Sequence, residues 1–143
     1  GDLAVNIAER AASLCALPAV EVPYDLPRLT DRAQYMIARS LDAMIHLNEE
    51  QAREIWLSDD EVDQLNREAY RRIVEGLRKH PDHIEQLLSL LSVARQLERI
   101  ADHATNIAKD VLYMVQGEIF RHRAKQFKLA TAPPAAPSGG GAS

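Results

Sequence analysis

The chain has 143 residues, enough for one domain of ordinary size, and its formal net charge of −4 argues against non-specific binding to nucleic acid. Its apolar residues are mostly Ala, Leu, Ile and Val and its aromatic residues are few, which is typical of an all-helical fold. The single cysteine, Cys15, excludes an intramolecular disulfide and a cysteine-based zinc site, and no apolar run reaches the roughly 18 residues of a membrane span.

Residues 1–16 have the apolar spacing of a helix, and their first octet is repeated later in the chain. The octet at 1–8 (GDLAVNIA) and the octet at 101–108 (ADHATNIA) agree at five positions: Asp2/Asp102, Ala4/Ala104, Asn6/Asn106, Ile7/Ile107 and Ala8/Ala108. Such a match predicts two copies of one helical unit, the first cut off by the start of the chain. The apolar stripe of this first helix lacks its own bundle, so we expect it to pack on the second copy or to drive self-association.

Residues 17–27 are predicted to be a linker, because prolines interrupt helices and this segment holds Pro18, Pro23 and Pro27. Three longer helices follow, over 28–47, over 49–80 and from Pro81 to about Val115, with Gly117 as a C-terminal cap. In the first two of these, the residues expected to face inward are Leu29, Ala33, Met36, Ile37, Ser40, Met44, Leu47, Ala52, Ile55, Trp56, Val62, Leu65, Ala69, Ile73 and Leu77.

The predicted fold is therefore all-α. It consists of an antiparallel three-helix bundle over residues 28–122, preceded by the end of a helix at 1–16 and the linker at 17–27. Residues 123–143 are predicted to be a disordered tail, since the stretch from Thr131 onward contains mainly Ala, Pro, Gly and Ser and no charge.

Two pairs of carboxylates have the i, i+4 spacing that places side chains on one helix face. Glu98 and Asp102 are followed at the same spacing by Asn106, and Asp59 and Asp63 lie on the preceding helix. Both pairs are roughly twenty residues from the turn near position 80, so an antiparallel hairpin brings them to similar heights. Four converging carboxylates predict an oxygen-rich site for iron, manganese or magnesium.

Simpler interpretations stand beside this one. Arg95 and Arg99 could form salt bridges with the acids of the same helix, and Asn6 and Asn106 could hydrogen-bond across a helix interface. The sequence has no nucleophile-and-base spacing, glycine-rich phosphate loop or HExxH motif, so it predicts no enzyme. The five histidines are interpreted as solvated side chains rather than ligands: His46, His80, His83, His103 and His122.

The segment at 98–108, ERIADHATNIA, resembles the signature of the PhoU family, bacterial regulators of phosphate uptake. The family's motif, Glu-Arg-Ile-Gly-Asp followed by Asn-Ile, occurs once in each of two three-helix repeats. Residues 1–8 are similar to the first copy entered after its Glu-Arg-Ile, and Asp59, Val62 and Asp63 are similar to the acidic segment of the second repeat's middle helix. The segment at 117–122 resembles the family's sequence after the last helix.

This resemblance implies that the chain holds the second repeat and only the end of the last helix of the first. It also implies metal ions, iron or zinc in some members, on the acidic motif faces. Carried over by position, the second-repeat ligands are Asp59, Asp63, Glu98 and Asp102, with Asn106 in support. For the first repeat only Asp2 and Asn6 remain.

The resemblance further implies a non-enzymatic, cytoplasmic negative regulator of phosphate uptake and of phosphate-regulon signalling, held at the inner membrane only through its partners. Those partners are the ATPase of the phosphate ABC transporter and a phosphate sensor histidine kinase, and we expect a homodimer. Two alternatives stay open: a helical interaction module without metal, and a bundle of the di-iron type. The latter is disfavoured because no helix carries a Glu-x-x-His pair.

Overall fold

A computed structural model describes residues 1–131, except for the side chains of Leu129 and Thr131. Within that range the chain forms four α-helices, one short 3₁₀ helix and no strand, which confirms the all-α prediction. The helices are α1 (Asp2–Cys15), α2 (Leu26–His46), α3 (Glu49–Lys79) and α4 (Ile84–Thr131), and the 3₁₀ helix is Pro81–His83. None of the helices in residues 1–131 combines the length and apolar character needed to cross a membrane.

Helices α2, α3 and α4 form a three-helix bundle in which each helix packs against the other two. Very short connections join α2 to α3 and α3 to α4, as in antiparallel neighbours. The fully buried apolar residues of the core combine larger side chains with alanines on all three helices, and alanines predominate on α4, which lets the backbones approach closely: Leu29, Ala33, Met36, Ala43, Ala52, Ile55, Val62, Ala69, Ile73, Ala94, Ala101, Ala104, Ala108 and Val111.

Two side-chain caps fix where the bundle helices begin. The Asp25 carboxylate accepts a hydrogen bond from the Arg28 backbone N–H at 3.1 Å, and the Asn48 side chain accepts one from Gln51 N–H at 3.0 Å. Pro27 lies in the first turn of α2, where its missing N–H costs nothing. Helix α2 therefore starts at Leu26, two residues before the predicted start.

The segment between α1 and α2 also contributes to the core, which the prediction of a linker did not include. Tyr24 is buried, and its hydroxyl donates a 2.8 Å hydrogen bond to the Leu90 carbonyl of α4. Burial raises the pKa of Tyr24 to about 12. This contact ties the segment to the bundle.

Helix α1 packs against α4 and, within the described chain, against no other helix. Ile7 and Leu14 lie partly buried against the core, while Ala4, Ala8 and Ala11 stay exposed. The expectation that α1 packs on the second copy is thus met by its larger apolar residues. An apolar groove of about 450 Å³ is left between α1 and α2, with α4 beneath it.

Three residues predicted to face inward are exposed. Met44 and Leu47 lie at the end of α2, where the chain turns toward α3, and Leu47 is the left-handed C-cap with φ 50°. Trp56 follows the buried Ile55 and lies at the edge of the α3–α4 contact, beside Tyr113. Helical spacing did not distinguish these edge positions from the core.

The predicted end of the fourth helix was wrong. Helix α4 passes through Gly117 and continues to Thr131, and Gly117 does not adopt a positive φ. One glycine costs a helix only about 1 kcal/mol, and the residues on both sides are good helix formers. Residues 123–131 are therefore helical instead of belonging to a disordered tail, and the rest of the predicted tail lies outside the described residues.

Candidate metal centre

The structure brings the two predicted carboxylate pairs together where α3 packs against α4. Asp59 and Asp63 lie one turn apart on α3, and Glu98 and Asp102 lie one turn apart on α4. We call these four residues the acidic patch. Three of them are partly buried and Asp102 is exposed.

Small residues on α4 explain why the patch forms at this height. Ala101 and Ala104 on α4 and Val62 on α3 are all buried. Because alanine lets two helix backbones approach closely, the carboxylates that flank this contact are drawn toward one another. The same alanine stripe that makes the core therefore also places the acids.

A direct hydrogen bond joins the two helices inside the patch. The Thr105 hydroxyl on α4 lies 3.0 Å from Asp59 Oδ1 on α3 and 3.1 Å from the Ala101 carbonyl, so it can donate to either oxygen. Thr105 is buried, and sequence reasoning assigned it no role. A signal did exist: Thr105 occupies the place that Val5 takes in the first octet, so the hydroxyl is specific to the second copy.

Partial burial and neighbouring negative charge raise the pKa of Glu98 above its usual range. Burial is the largest cause, followed by the charges of Asp102 and Asp63, while the Arg95 charge lowers that pKa. The same physics raises the pKa of Asp102. There, burial comes first, then the charges of Asp59 and Asp63. Like charges thus act across the helix interface as well as along one helix.

The acids of the patch have no close cationic partner in the part of the chain that the structure describes. Within residues 1–131, no ion pair of 4.0 Å or less joins Arg95 or Arg99 to them. The structure therefore does not contain the salt bridges that the simpler interpretation expected. Glu61 provides the contrast, since its carboxylate oxygens lie 2.9 Å from Arg28 and 2.6 Å from Arg32. The patch therefore carries negative charge that no ion pair within residues 1–131 neutralises, although the Arg95 charge acts on Glu98 and the His103 and Lys109 charges act on Asp102.

The remaining predicted ligands lie outside the patch or on its edge. Asn106 is exposed on α4, one turn beyond Asp102. Asp2 is exposed and Asn6 partly buried on α1, which does not contact α3, so the structure does not bring either residue to the Asp59 side of the patch. No hydrogen bond between Asn6 and Asn106 occurs among the side-chain bonds of residues 1–131.

The donor set of the patch fits a hard or borderline cation, because all four ligands would be carboxylate oxygens. This chemistry suits magnesium, manganese or iron better than zinc. The carboxylate oxygens of the patch are, however, not all within 4.8 Å of one another. Within residues 1–131, the residues whose ligand atoms do lie that close together are His80, Asp82 and His83. A cation at the patch would have to draw the carboxylates closer together.

A groove of about 310 Å³ continues from the patch along α3 and α4. Its walls carry both signs of charge, with Asp63 and Glu98 at the patch and Arg67 and Arg95 farther along, together with Tyr70. A partner that reaches the patch would meet this mixed surface as well.

Comparison with known proteins places the fold and the patch in a family. The model of the PhoU domain matches residues 26–111, which include α2, α3 and the first part of α4 with all four acids of the patch. The chain is also similar to the crystal structure of PhoU from Pseudomonas aeruginosa, with a TM-score of 0.75 and 33% identity, over 81% of this chain and 56% of that one.

Curated relatives agree. Phosphate-specific transport system accessory protein PhoU homologs from Deinococcus radiodurans and Pseudomonas aeruginosa are each 33% identical, over 82% and 85% of this chain and 55% and 51% of their own lengths. Homolog 1 from Methanothermobacter thermautotrophicus is 34% identical, over 82% of this chain and 54% of its own. The chain spans about half the length of these curated relatives. The domain match and the relatives together show that the chain belongs to the PhoU family.

Proposed function

We propose that this chain acts, without catalysis, in the control of a phosphate transport system, as a negative regulator of phosphate uptake and of the signalling coupled to it. Its relatives are named as accessory proteins of phosphate-specific transport, which supports the phosphate system as its setting. The observation that carries the proposal is the acidic patch, a negative surface without ion pairs in the described residues, on two helices that lie in the matched PhoU domain.

The proposed mechanism links a cation to partner binding. Asp59, Asp63, Glu98 and Asp102 would hold a divalent or ferric ion, with Asn106 at the rim. These residues would hold an ion whose positive charge would cancel the carboxylate repulsion and so fix the packing of α3 on α4. The Thr105 hydrogen bond to Asp59 holds one carboxylate in position before any ion arrives.

The proposed partners are the ATPase of the phosphate ABC transporter and the sensor histidine kinase, met in the cytoplasm at the inner membrane. The patch and the mixed-charge groove beside it form the surface on which either would dock. Long-range attraction between this surface and a basic partner surface would set the rate of encounter, so binding should weaken as salt rises.

The test combines elemental analysis with binding of the purified ATPase. The patch variant replaces all four acids with their amides: Asp59→Asn, Asp63→Asn, Glu98→Gln and Asp102→Asn. Its matched control makes the same change of charge at four exposed acids of the same two helices that form no ion pair within residues 1–131: Glu50→Gln, Asp60→Asn, Glu85→Gln and Asp110→Asn.

We expect the native chain and the control to bind manganese or iron and the ATPase, and the patch variant to bind neither. Metal retained by the patch variant would place the ion elsewhere. ATPase binding retained by that variant would remove the patch from the partner surface.

A second candidate is an interaction module that needs no metal. It is favoured by the spread of the four carboxylates, which do not form a group within 4.8 Å. In that case, chelation would leave ATPase binding unchanged, whereas the patch variant would still lose it.

A further inference from the structure

The turn between α3 and α4 places two imidazoles and a carboxylate side by side. One ligand atom from each of His80, Asp82 and His83 lies within 4.8 Å of the others. The two rings stack with their centroids 5.4 Å apart and their planes at 24°, and His83 Nε2 lies 3.4 Å from Asp82 Oδ2. The sequence interpretation treated these histidines as solvated side chains and did not predict that they lie this close to each other and to Asp82.

The backbone holds these three side chains together by a local mechanism. Helix α3 ends with the His80 N–H donating to the Gly76 carbonyl at 2.8 Å. Pro81 then begins a single 3₁₀ turn, which is closed by the His83 N–H donating to the His80 carbonyl at 3.0 Å. This hydrogen bond brings His83 back to His80, the residue that precedes the turn, and the two rings stack there.

The surroundings leave room for an ion and do not supply a free competing cation. His80 and His83 line a cavity of about 440 Å³, which Glu21 also lines from the segment between α1 and α2. The two basic side chains in this cavity are engaged already. Lys79 pairs with Glu75 at 2.8 Å, and Arg72 pairs with Glu68 at 2.7 Å.

We propose that His80, Asp82 and His83 bind a divalent transition-metal ion of the zinc class. Imidazole nitrogen is a ligand for zinc, nickel and copper rather than for magnesium or calcium, and one carboxylate completes a three-ligand set with open positions. Zinc–nitrogen bonds are about 2.0–2.1 Å long, so the ligand atoms, now within 4.8 Å of one another, would have to draw closer around the ion. The cavity beside the site gives water or the Glu21 carboxylate access to the open positions.

This site is separate from the acidic patch in place and in chemistry. Asp63 and Lys79 are sixteen residues apart on α3, which corresponds to about 24 Å along the helix. The patch offers oxygen ligands alone, whereas the turn offers two nitrogens. The two sites should therefore select different ions, and each can be removed without the other.

The experiment is calorimetric titration of the chain with zinc chloride, with cobalt(II) as a coloured substitute. The site variant is His80→Asn with His83→Asn. Its matched control is His46→Asn with His122→Asn, which removes two exposed histidines. Like His83, His46 lies beside a carboxylate, since its Nδ1 is 3.2 Å from Asp42 Oδ1.

We expect one equivalent of zinc in the native chain, the control and the patch variant, and none in the site variant. Asp82→Asn should weaken zinc binding at least tenfold, the scale on which even indirect partners of a metal act. If the site variant loses helicity, a second measurement on the native chain tests whether His80 and His83 bind the zinc: the imidazole ¹⁵N resonances of both residues must shift when zinc is added. Zinc binding unchanged in the site variant, no zinc uptake at millimolar metal, or unshifted resonances would each overturn the proposal.

Discussion

Two single side chains, Glu98 and Asp102, each make the metal-free protein less stable as pH rises. Their folded-state pKa values lie above the unfolded values, which are 4.5 for Glu98 and 3.8 for Asp102. At a pH between the unfolded and the folded pKa, the folded protein therefore binds more protons than the unfolded chain. The free energy of unfolding that they contribute therefore falls as pH rises from below 3.8 through the raised pKa values. At neutral pH each ionised carboxylate therefore destabilises the fold, because its charge is partly buried and repelled by the neighbouring acids.

We accordingly expect Glu98→Gln and Asp102→Asn to stabilise the metal-free chain at pH 7. The gain should be at most about 1 kcal/mol, because both groups are partly in water, which screens their charges. Urea unfolding at pH 7 and at pH 4 measures it, and the gain should shrink at the lower pH. A loss of stability at pH 7 without metal would contradict the argument.

Glu68 is the control with the opposite sign. Hydrogen bonds from Arg71 and Arg72 lower the pKa of its carboxyl to about 2. Its stabilising contribution is therefore complete above 4.5 and is lost as pH falls through about 2. Replacing it with Gln should not stabilise the protein at pH 7, in contrast to the changes in the patch.

At this scale the sequence predicted which acids meet, but not what accompanies them. The i, i+4 spacing and the position of the turn near residue 80 were enough to pair Asp59 and Asp63 with Glu98 and Asp102. The partner of Thr105 lies 46 positions away on another helix, and no local pattern encodes that contact. The His80–His83 stack depends on a 3₁₀ turn where an ordinary helix start was predicted.

At the scale of the helices, the continuation of α4 through Gly117 can be tested directly by replacing that glycine. A Cβ built on Gly117 meets nothing within 4 Å. Gly117→Ala should therefore raise the free energy of unfolding by about 0.5–1 kcal/mol, by removing the backbone freedom that glycine gains on unfolding. Far-UV circular dichroism and urea unfolding measure the change, and Gln116→Ala is the control at an adjacent helix former. Had the helix ended there in a left-handed cap, alanine would destabilise it instead.

The start of α3 and the ends of α2 and α3 were predicted within one residue, but the end of α4 was not. Asp25, Asn48 and the prolines carry local chemistry that fixes where α2, α3 and the turn before α4 begin. The end of α4 has no such signal, since the helix simply continues through a weak breaker. Edge residues such as Trp56 repeat at the core's spacing, so only the packed structure separates them from the core.

In the whole molecule, the second half of α4 exposes large apolar side chains. Tyr113 is 75% exposed and Phe120 is 73% exposed. Such surface is typical of a protein contact, which supports the proposed homodimer. We expect Tyr113→Ser with Phe120→Ser to lower the mass measured by light scattering from that of a dimer to that of a monomer.

Ile45 and Leu57 provide the matched control, since they are 74% and 72% exposed on α2 and α3. Their replacement by serine should leave the mass unchanged. A native chain that is monomeric at tens of micromolar would exclude this dimer.

The sequence predicted the number and order of the helices, and it gave packing of α1 on the bundle as one of two outcomes, the other being self-association. It did not predict that α1 would contact α4 alone and leave a groove beside α2. That choice depends on the shape of the assembled surface, in which Leu90, Val93 and Leu97 of α4 line the floor. Periodicity describes one helix at a time and carries no such information.

The length of α4 has a mechanical consequence. One uninterrupted helix runs from Asp102, within the acidic patch, to Ala130 near its far end. These residues are about 42 Å apart, so a tilt of about 5° at the patch displaces the far end by about 4 Å. Helix α4 would in this sense act as a lever arm: a small change of direction beside the carboxylates would move its far end more than it moves Tyr113 or Phe120, which lie nearer to the patch.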